Sequence, residues 1–368
     1  MMLKHTNARL STISSQNGFS QKGFSLVELM VGLVIGLFAT LAIVQVFSTF
    51  EGQKRSTSGT SDAQTNGSIA LMNIQRSVQM AGYGLALPMA DKDNSSLKCA
   101  AFADYDPPAI SATNDPPPTN LFPLVIQDGA GNTSDTITVR YSTTAMGGIP
   151  VTIVNAANAT SGAGMVLSNN IGCNANDIAM VTNGSVCGMT TVVGNAIGNQ
   201  NIQISGAPAG GALVNNAKFA CMGNWQNYTY QIVNNELRLN GQPIVSEVVN
   251  MQAQYGVSAA ANSNQVNQWV SATGGTWAAP TVANRNRIKA IRVALIVRNS
   301  LLEKDDVSTA CSSTTAANPT GVCAWDGSVL GAAPTIDLTG TADWQKYRYR
   351  VFETIVPIRN MLWSREAV

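Results

Sequence analysis

Residues 22–50 read KGFSLVELMVGLVIGLFATLAIVQVFSTF, and the fold turns on how this stretch is read. From Leu29 to Phe50 there are 22 residues without a charge, about 33 Å as an α-helix at 1.5 Å per residue. That length crosses a bilayer core of about 30 Å. Residues 1–23 carry Lys4, Arg9 and Lys22 and no acid, which predicts a cytoplasmic amino terminus and an outer side for everything after Phe50.

An ordinary secretory signal is cut after its apolar stretch, beside small residues. Here the run is followed by EGQKRS, and the small residue stands before it instead, as Gly23 between Lys22 and Phe24. Cleavage after Gly23 removes a basic leader and leaves the hydrophobic helix on the mature chain. Glu28 is the anomalous member, because a carboxylate deep in hydrocarbon costs about 2.5–3.5 kcal/mol or more and needs a partner. The α-amino group freed on Phe24 lies four residues away; the plainer alternative is a carboxylate that snorkels to the interface.

The run Gly23-Phe24-Ser25-Leu26-Val27-Glu28-Leu29-Met30 resembles the class III signal of type IV pilins and type II secretion pseudopilins. By that resemblance the prepilin peptidase cuts after Gly23, Phe24 is N-methylated and Glu28 orders subunit packing. Gly18-Phe19-Ser20 is a decoy, since its fifth position is Gly23 rather than an acid.

Beyond the run, Ala70, Ile74, Val78 and Ala81 fall on one helical face, and Gly82-Tyr83-Gly84 marks its end. Gly52, Gly59 and Gly67 each weaken a helix by about 1 kcal/mol relative to Ala, so one long helix, open to interruption near 52–67 and packing its distal part on a sheet, is expected, with a flexible stalk as the alternative. Five prolines in 104–120 exclude regular helix or central strand there.

Short alternating runs then predict strands at Leu121–Gln127, Thr136–Tyr141, Val151–Val154, Asp177–Thr182, Thr190–Val193, Tyr228–Val233 and Glu236–Leu239. Asn234-Asn235 reads as a two-residue hairpin turn. Ile288–Arg298 and Tyr347–Arg359 read as half-buried antiparallel strands.

AGYG at 81–84, VNMQAQYGV at 249–257, the IRVALIVRNS run and the terminal VFETIVPIRNM are similar to the PilW group of pilus-assembly proteins. Residues 128–220 carry no motif of that group. Together these readings give an α+β, pilin-like chain, with a long amino-terminal helix, first transmembrane and then amphipathic, on an antiparallel β-rich globular head. The expected divisions are a cleaved leader over 1–23, a transmembrane and assembly helix over 24–50 and its amphipathic extension over 51–87. A Pro-rich connection over 88–120 and a periplasmic head over 121–368 follow.

The composition narrows the function. His5 is the only histidine and falls in the leader, so a mature chain has no Ser-His-Asp or Cys-His machinery and no His-ligated zinc. Lys plus Arg is 22 against 21 for Asp plus Glu, which gives no bulk attraction to nucleic acid. No cofactor, metal or catalytic residue is expected.

Six cysteines, Cys99, Cys173, Cys187, Cys221, Cys311 and Cys323, lie on the outer side, where disulfides form. Spacing favours Cys173–Cys187 and Cys311–Cys323 as local pairs and leaves Cys99–Cys221 as a long one. Pilins commonly close a disulfide-bounded loop near the carboxyl terminus, and Cys311–Cys323 resembles it.

Asp91, Asp93 and Asn94, and Asp128, Asn132 and Asp135, are oxygen-rich clusters that suit either calcium or plain surface turns. Trp225, Tyr228, Tyr230, Trp269 and Trp277 fit core and edge positions, with a stacking platform as the alternative. Arg285, Arg287, Lys289 and Arg292 read as a solvated strand face, with a subunit contact or weak DNA binding behind it.

The reading is a non-enzymatic minor pilin in the initiation or tip complex of a type IV pilus. It is anchored in the bacterial inner membrane with its head in the periplasm and then moves into the filament. The implied partners are other minor pilins, the major pilin, the prepilin peptidase, the inner-membrane assembly machinery and, before assembly, membrane lipid. A minor pseudopilin of a type II secretion system and a pilus-tip adhesin are the alternatives.

Overall fold

The computed structural model describes residues 23–85, 101–104, 122–143, 148–169, 172–195, 200–325 and 330–362. Two compact units meet in the sequence between Ser56 and Thr57. One helix, α1 (Leu26–Met80), contributes to both.

In the first unit α1 is exposed from Leu26 to Lys54, including the whole apolar run. The two threonines there bond back to the helix itself. Thr40 Oγ1 donates to the Leu37 carbonyl at 2.9 Å and Thr49 Oγ1 to the Gln45 carbonyl at 3.0 Å. Backbone and threonine donors are thus satisfied without water, as an apolar surrounding requires.

In the second unit α1 buries a narrow stripe: Gly59, Ala63, Gly67, Ala70, Ile74 and Val78, continued by Ala81 beyond the helix. Ala70, Ile74, Val78 and Ala81, the face expected from periodicity, are all fully buried. No interruption occurs near 52–67, because α1 is continuous and two of its glycines lie in tight contacts. A Cβ on Gly59 would overlap the Asn299 amide, and one on Gly67 would overlap the Phe352 ring. Packing against the head outweighs the propensity cost of these residues. The helix stops at Met80, just before the expected Gly82-Tyr83-Gly84 end, where Gly82 takes a φ of +77° and its amide donates to the Arg140 carbonyl at 2.9 Å.

Sixteen strands form three sheets among the described residues. The first sheet contains β1 (Ala101–Asp104), β4 (Val151–Asn155), β5 (Met165–Leu167), β6 (Ile178–Thr182), β7 (Val186–Asn195), β8 (Asn201–Ile204) and β9 (Lys218–Gly223). The second contains β2 (Leu124–Gln127), β3 (Thr136–Ser142), β10 (Trp225–Val233), β11 (Glu236–Leu239) and β12 (Gln242–Ser246). The third contains β13 (Val248–Ser258), β14 (Val266–Val270), β15 (Ile288–Arg298) and β16 (Tyr349–Pro357).

The first sheet runs β1-β7-β6-β9-β4-β5-β8, and β8 pairs back onto β7. Six of its strands therefore close into a small barrel. Ile153, Met165, Leu167, Val181, Val192, Ile202, Ile204 and Phe219 fill its core. The long strand β7 makes closure possible: its start pairs with β6 and its end with β8. A closed sheet leaves no strand edge in the ring. Strand β1 joins from outside, parallel to β7. It falls in the stretch expected to be only a connection.

The second sheet, β12-β11-β10-β3-β2, is antiparallel throughout. Asn234 and Asn235, with φ of 54° and 60°, form the tight turn between β10 and β11. The third sheet runs β14-β13-β15-β16. One face shares a core with α1 through Met251, Tyr255, Ile291, Val293, Leu295 and Val356. On the other face Ala294 and Ile296 pack with Val322, Ala324, Ile336 and Leu338 of the carboxyl-terminal loop. β15 is consequently buried on both faces rather than half-buried, since the loop shields the side expected to meet water.

Two hydroxyls tie the layers together. Ser77 Oγ on α1 and the Tyr230 hydroxyl on β10 are 2.7 Å apart. The Ile126 amide of β2 donates to the Tyr255 hydroxyl of β13 at 2.6 Å.

Candidate functional site

Gly23, Phe24 and Ser25 precede the helix, and nothing lies within 4 Å of a Cβ built on Gly23. Phe24 is 84% exposed. The Ser25 carbonyl accepts from the Leu29 amide at 3.1 Å, which places Glu28 in the first turn. A carboxylate there meets the unpaired amides and the positive end of the helix dipole, worth about 0.3–1 kcal/mol at an exposed end.

The Gly23–Phe24 bond therefore lies outside the helix. Phe24 stands four residues before Glu28, about one turn along a helix whose apolar side chains have no cover among the described residues. Exposed residues along it include Leu29, Leu33, Leu37, Phe38 and Phe47.

The cysteines pair differently from the spacing argument in one respect. Cys311 and Cys323 are joined, with Cα atoms 4.8 Å apart. Cys173 is bonded to Cys221, with Cα atoms 5.2 Å apart, and not to Cys187. This overturns the expected Cys173–Cys187 pair and, because Cys221 is taken, the Cys99–Cys221 pair as well. Short separation was the wrong guide: Ala179 stands opposite Cys221 in the β6–β9 ladder, and barrel closure brings Cys173 and Cys221 into one core. Cys187 is itself disulfide-bonded; Cys99 lies outside the described residues.

The four cations do not form a solvated face. Lys289 and Arg292 are 2% and 3% exposed. The Arg292 guanidinium lies over Trp269 at 5.1 Å and over Trp325 at 4.7 Å. Its Nε donates to Gln254 Oε1 at 2.7 Å and an Nη to the Ala332 carbonyl at 3.2 Å. Burial pulls its pKa down to about 10. Lys289 Nζ donates to the Ala261 carbonyl at 2.9 Å, and burial lowers its pKa too. Arg285 stands over Phe122 at 6.0 Å and Arg287 over Trp277 at 5.4 Å. These are internal cation–π contacts.

The same contacts answer for the aromatic residues. Trp269 and Trp277 already stack on arginines, Trp225 is buried in a core, and Tyr230 spends its hydroxyl on α1. Tyr228 meets Tyr141 edge-on at 5.6 Å. These five therefore belong to the packing of the head.

Of the oxygen-rich clusters, 91–94 lies outside the described residues. In the other, the Asp135 carboxylate accepts from the Gly129 amide at 2.9 Å and the Ala253 amide at 2.7 Å. It clamps the β2–β3 loop onto β13. Burial pushes its carboxyl up to about 7 against the lowering pull of these donors.

One set of residues carries a role that residue types alone did not disclose. Along β13, Asn250, Gln252 and Gln254 point away from α1, alternating with Met251, Ala253 and Tyr255, which face it. Asn250 Nδ2 donates to the Asp337 carbonyl at 3.2 Å and Gln254 Nε2 to the Ala332 carbonyl at 3.2 Å. Gln252 Nε2 donates to the Thr133 carbonyl at 2.9 Å. The amides therefore fasten the disulfide-bearing loop and the β2–β3 loop over the sheet. The signal available in sequence was the strict polar–apolar alternation of VNMQAQYGV.

Residues 224–360 match the family model described as Type IV Pilus-assembly protein W, and residues 14–44 match the Prokaryotic N-terminal methylation motif. The first covers β10 through β16 and their loops; the second covers Gly23, Phe24, Glu28 and the start of α1. Neither a curated protein nor a solved structure matches the chain.

Proposed function

We propose that this chain is a PilW-type minor pilin of type IV pilus assembly and serves in the initiation or tip complex of the filament; the family match over residues 224–360 and the methylation motif over residues 14–44 support this reading. The observation that carries the reading is Glu28 in the first turn of an exposed apolar helix that follows the Gly23–Phe24 bond. Before assembly the helix holds the chain in the inner membrane with its head in the periplasm. The prepilin peptidase cuts after Gly23 and methylates Phe24. The mature helix then leaves lipid for the side chains of neighbouring pilin helices, replacing one apolar surrounding by another.

Glu28 supplies the register in this scheme. A carboxylate in hydrocarbon is costly unless paired, so it favours the one axial position where an α-amine of a neighbour reaches it. The connection and head after residue 87, some 280 residues, suit a position occupied once more readily than a repeating shaft position. The partners are other minor pilins, the major pilin and the inner-membrane assembly machinery. The chain's contribution is structural, without turnover.

Mass spectrometry of the amino terminus in cells with prepilin peptidase tests the processing step. The expected product begins at methylated Phe24 and disappears in Gly23→Val. Pilus counts in a Glu28→Ala strain test the assembly step, with fewer filaments expected. A chain that keeps its leader in both strains, or a deletion that blocks protein export and spares pili, would sink the proposal.

A further inference from the structure

Where α1 approaches the start of β16, a cavity of about 410 Å³ opens, lined by Thr60, Ala63, Asn299, Ser308, Arg348 and Arg350 among others. Asn299 is 2% exposed. Its Oδ1 accepts from the Leu301 amide at 2.9 Å, while its Nδ2 is buried with no hydrogen-bond partner. The amide lies against α1 at Gly59, which has no side chain to displace it. A buried donor left unpaired is costly and calls for an acceptor.

The rest of the lining has the same polarity. Arg348 engages Glu303 through Nε at 2.8 Å. Arg350 is exposed and has no ion pair among the described residues. Two guanidinium residues, three hydroxyl residues (Thr60, Ser308 and Tyr349) and the Asn299 amide line a space with no carboxylate among its described lining residues. The missing partner is an anion with two acceptor oxygens.

We propose that this cavity receives an aspartate or glutamate side chain from a neighbouring pilin-family subunit; the inference rests on the minor-pilin reading and deepens it. Two observations favour a protein carboxylate. The volume is well beyond one carboxyl group and leaves room for the segment that carries it. The cavity also lies beside β16, the terminal strand of its sheet, whose outer edge has no strand partner among the described residues. A neighbour's chain running along that edge would deliver its acid to Arg350 and Asn299.

The test uses the full-length chain in piliated cells, with a photo-crosslinking phenylalanine analogue in place of Val307, which also lines the cavity. The expected adduct joins a pilin-family subunit through a peptide containing Asp or Glu. It falls by at least about tenfold in Arg350→Glu, keeps its yield in Arg350→Lys, and returns when the captured acid is changed to Arg in the Arg350→Glu background. Arg350 is exposed, so protein level and melting are expected to stay constant across these variants.

An adduct indifferent to Arg350→Glu overturns the proposal, as does a captured peptide without an acid, a lipid adduct, or no adduct. Pilus counts in the same strains separate the two levels. A deletion that leaves filaments unchanged removes the minor-pilin reading itself. Filaments lost on deletion, with crosslinking undisturbed in Arg350→Glu, remove the cavity assignment alone.

Discussion

Gly67 of α1 lies directly against the ring of Phe352 on β16, with no room between them for a methyl group. Glycine at this position lets the helix backbone approach the sheet. Gly67→Ala is therefore expected to destabilise the head by about 1–3 kcal/mol despite the better helix propensity of Ala. Gly52→Ala, where nothing lies within 4 Å of the added carbon, should be neutral or slightly favourable. Urea unfolding of both variants in detergent decides it; equal midpoints would mean that Phe352 yields freely.

The disulfide connectivity is directly checkable. Non-reducing peptide mapping should recover Cys173 linked to Cys221 and Cys311 linked to Cys323. On the chain-entropy model, closing the 48-residue separation is worth about 4 kcal/mol and the 12-residue one about 3 kcal/mol. Cys221→Ser should thus lower the stability of the barrel more than Cys323→Ser lowers that of the loop. Recovery of a Cys173–Cys187 peptide would contradict the barrel as described.

Stability should fall as pH rises from about 4 to about 7. The sign follows from Asp135, whose carboxyl is raised from 3.8 to about 7 by burial. Between those values the folded state holds a proton that the unfolded state has released, so deprotonation favours unfolding. Asp128, also raised by burial, acts in the same direction. The urea midpoint is expected to be higher at pH 5 than at pH 8. Asp135→Asn should flatten this slope, at a basal cost of about 1–3 kcal/mol for an amide facing the wrong group. A variant with the parent's slope would relieve Asp135 of the role.

Arg292 should be indispensable to the loop that covers it. Arg292→Met removes two ring contacts and strands Gln254 Oε1 in the interior. A loss of about 2–4 kcal/mol is expected, with a red-shifted tryptophan emission as Trp269 and Trp325 become solvated. Arg292→Lys should recover little, since an ammonium cannot lie flat between two rings while donating from several nitrogens. Unchanged emission would mean that the loop stays closed by Cys311–Cys323 alone.

Sequence by itself determined what depends on neighbours along the chain. The uncharged run, the acid at Glu28, the Gly23–Phe24 step, the face Ala70–Ile74–Val78–Ala81 and the Asn234-Asn235 turn all rest on spacing within one element. Periodicity and local charge act over a turn or a strand, so they are written into adjacent residues. The Cys311–Cys323 pair belongs here too, because its loop is short.

Tertiary structure alone decided the rest. Gly59 and Gly67 look like weak points of an isolated helix and become close contacts only when Asn299 and Phe352 arrive from more than two hundred residues away. The Cys173–Cys221 bond exists because a ring of six strands closes, and ring closure follows from non-local pairing that no short window reports. Arg292 alternates with apolar neighbours as on a solvated strand, but a loop held by Asn250 and Gln254 covers its face, and Trp325 of that loop and Trp269 of β14 give it two indole rings in place of water. Burial is a property of what packs on a residue, and for this sheet that cover is supplied by a distant segment of the chain.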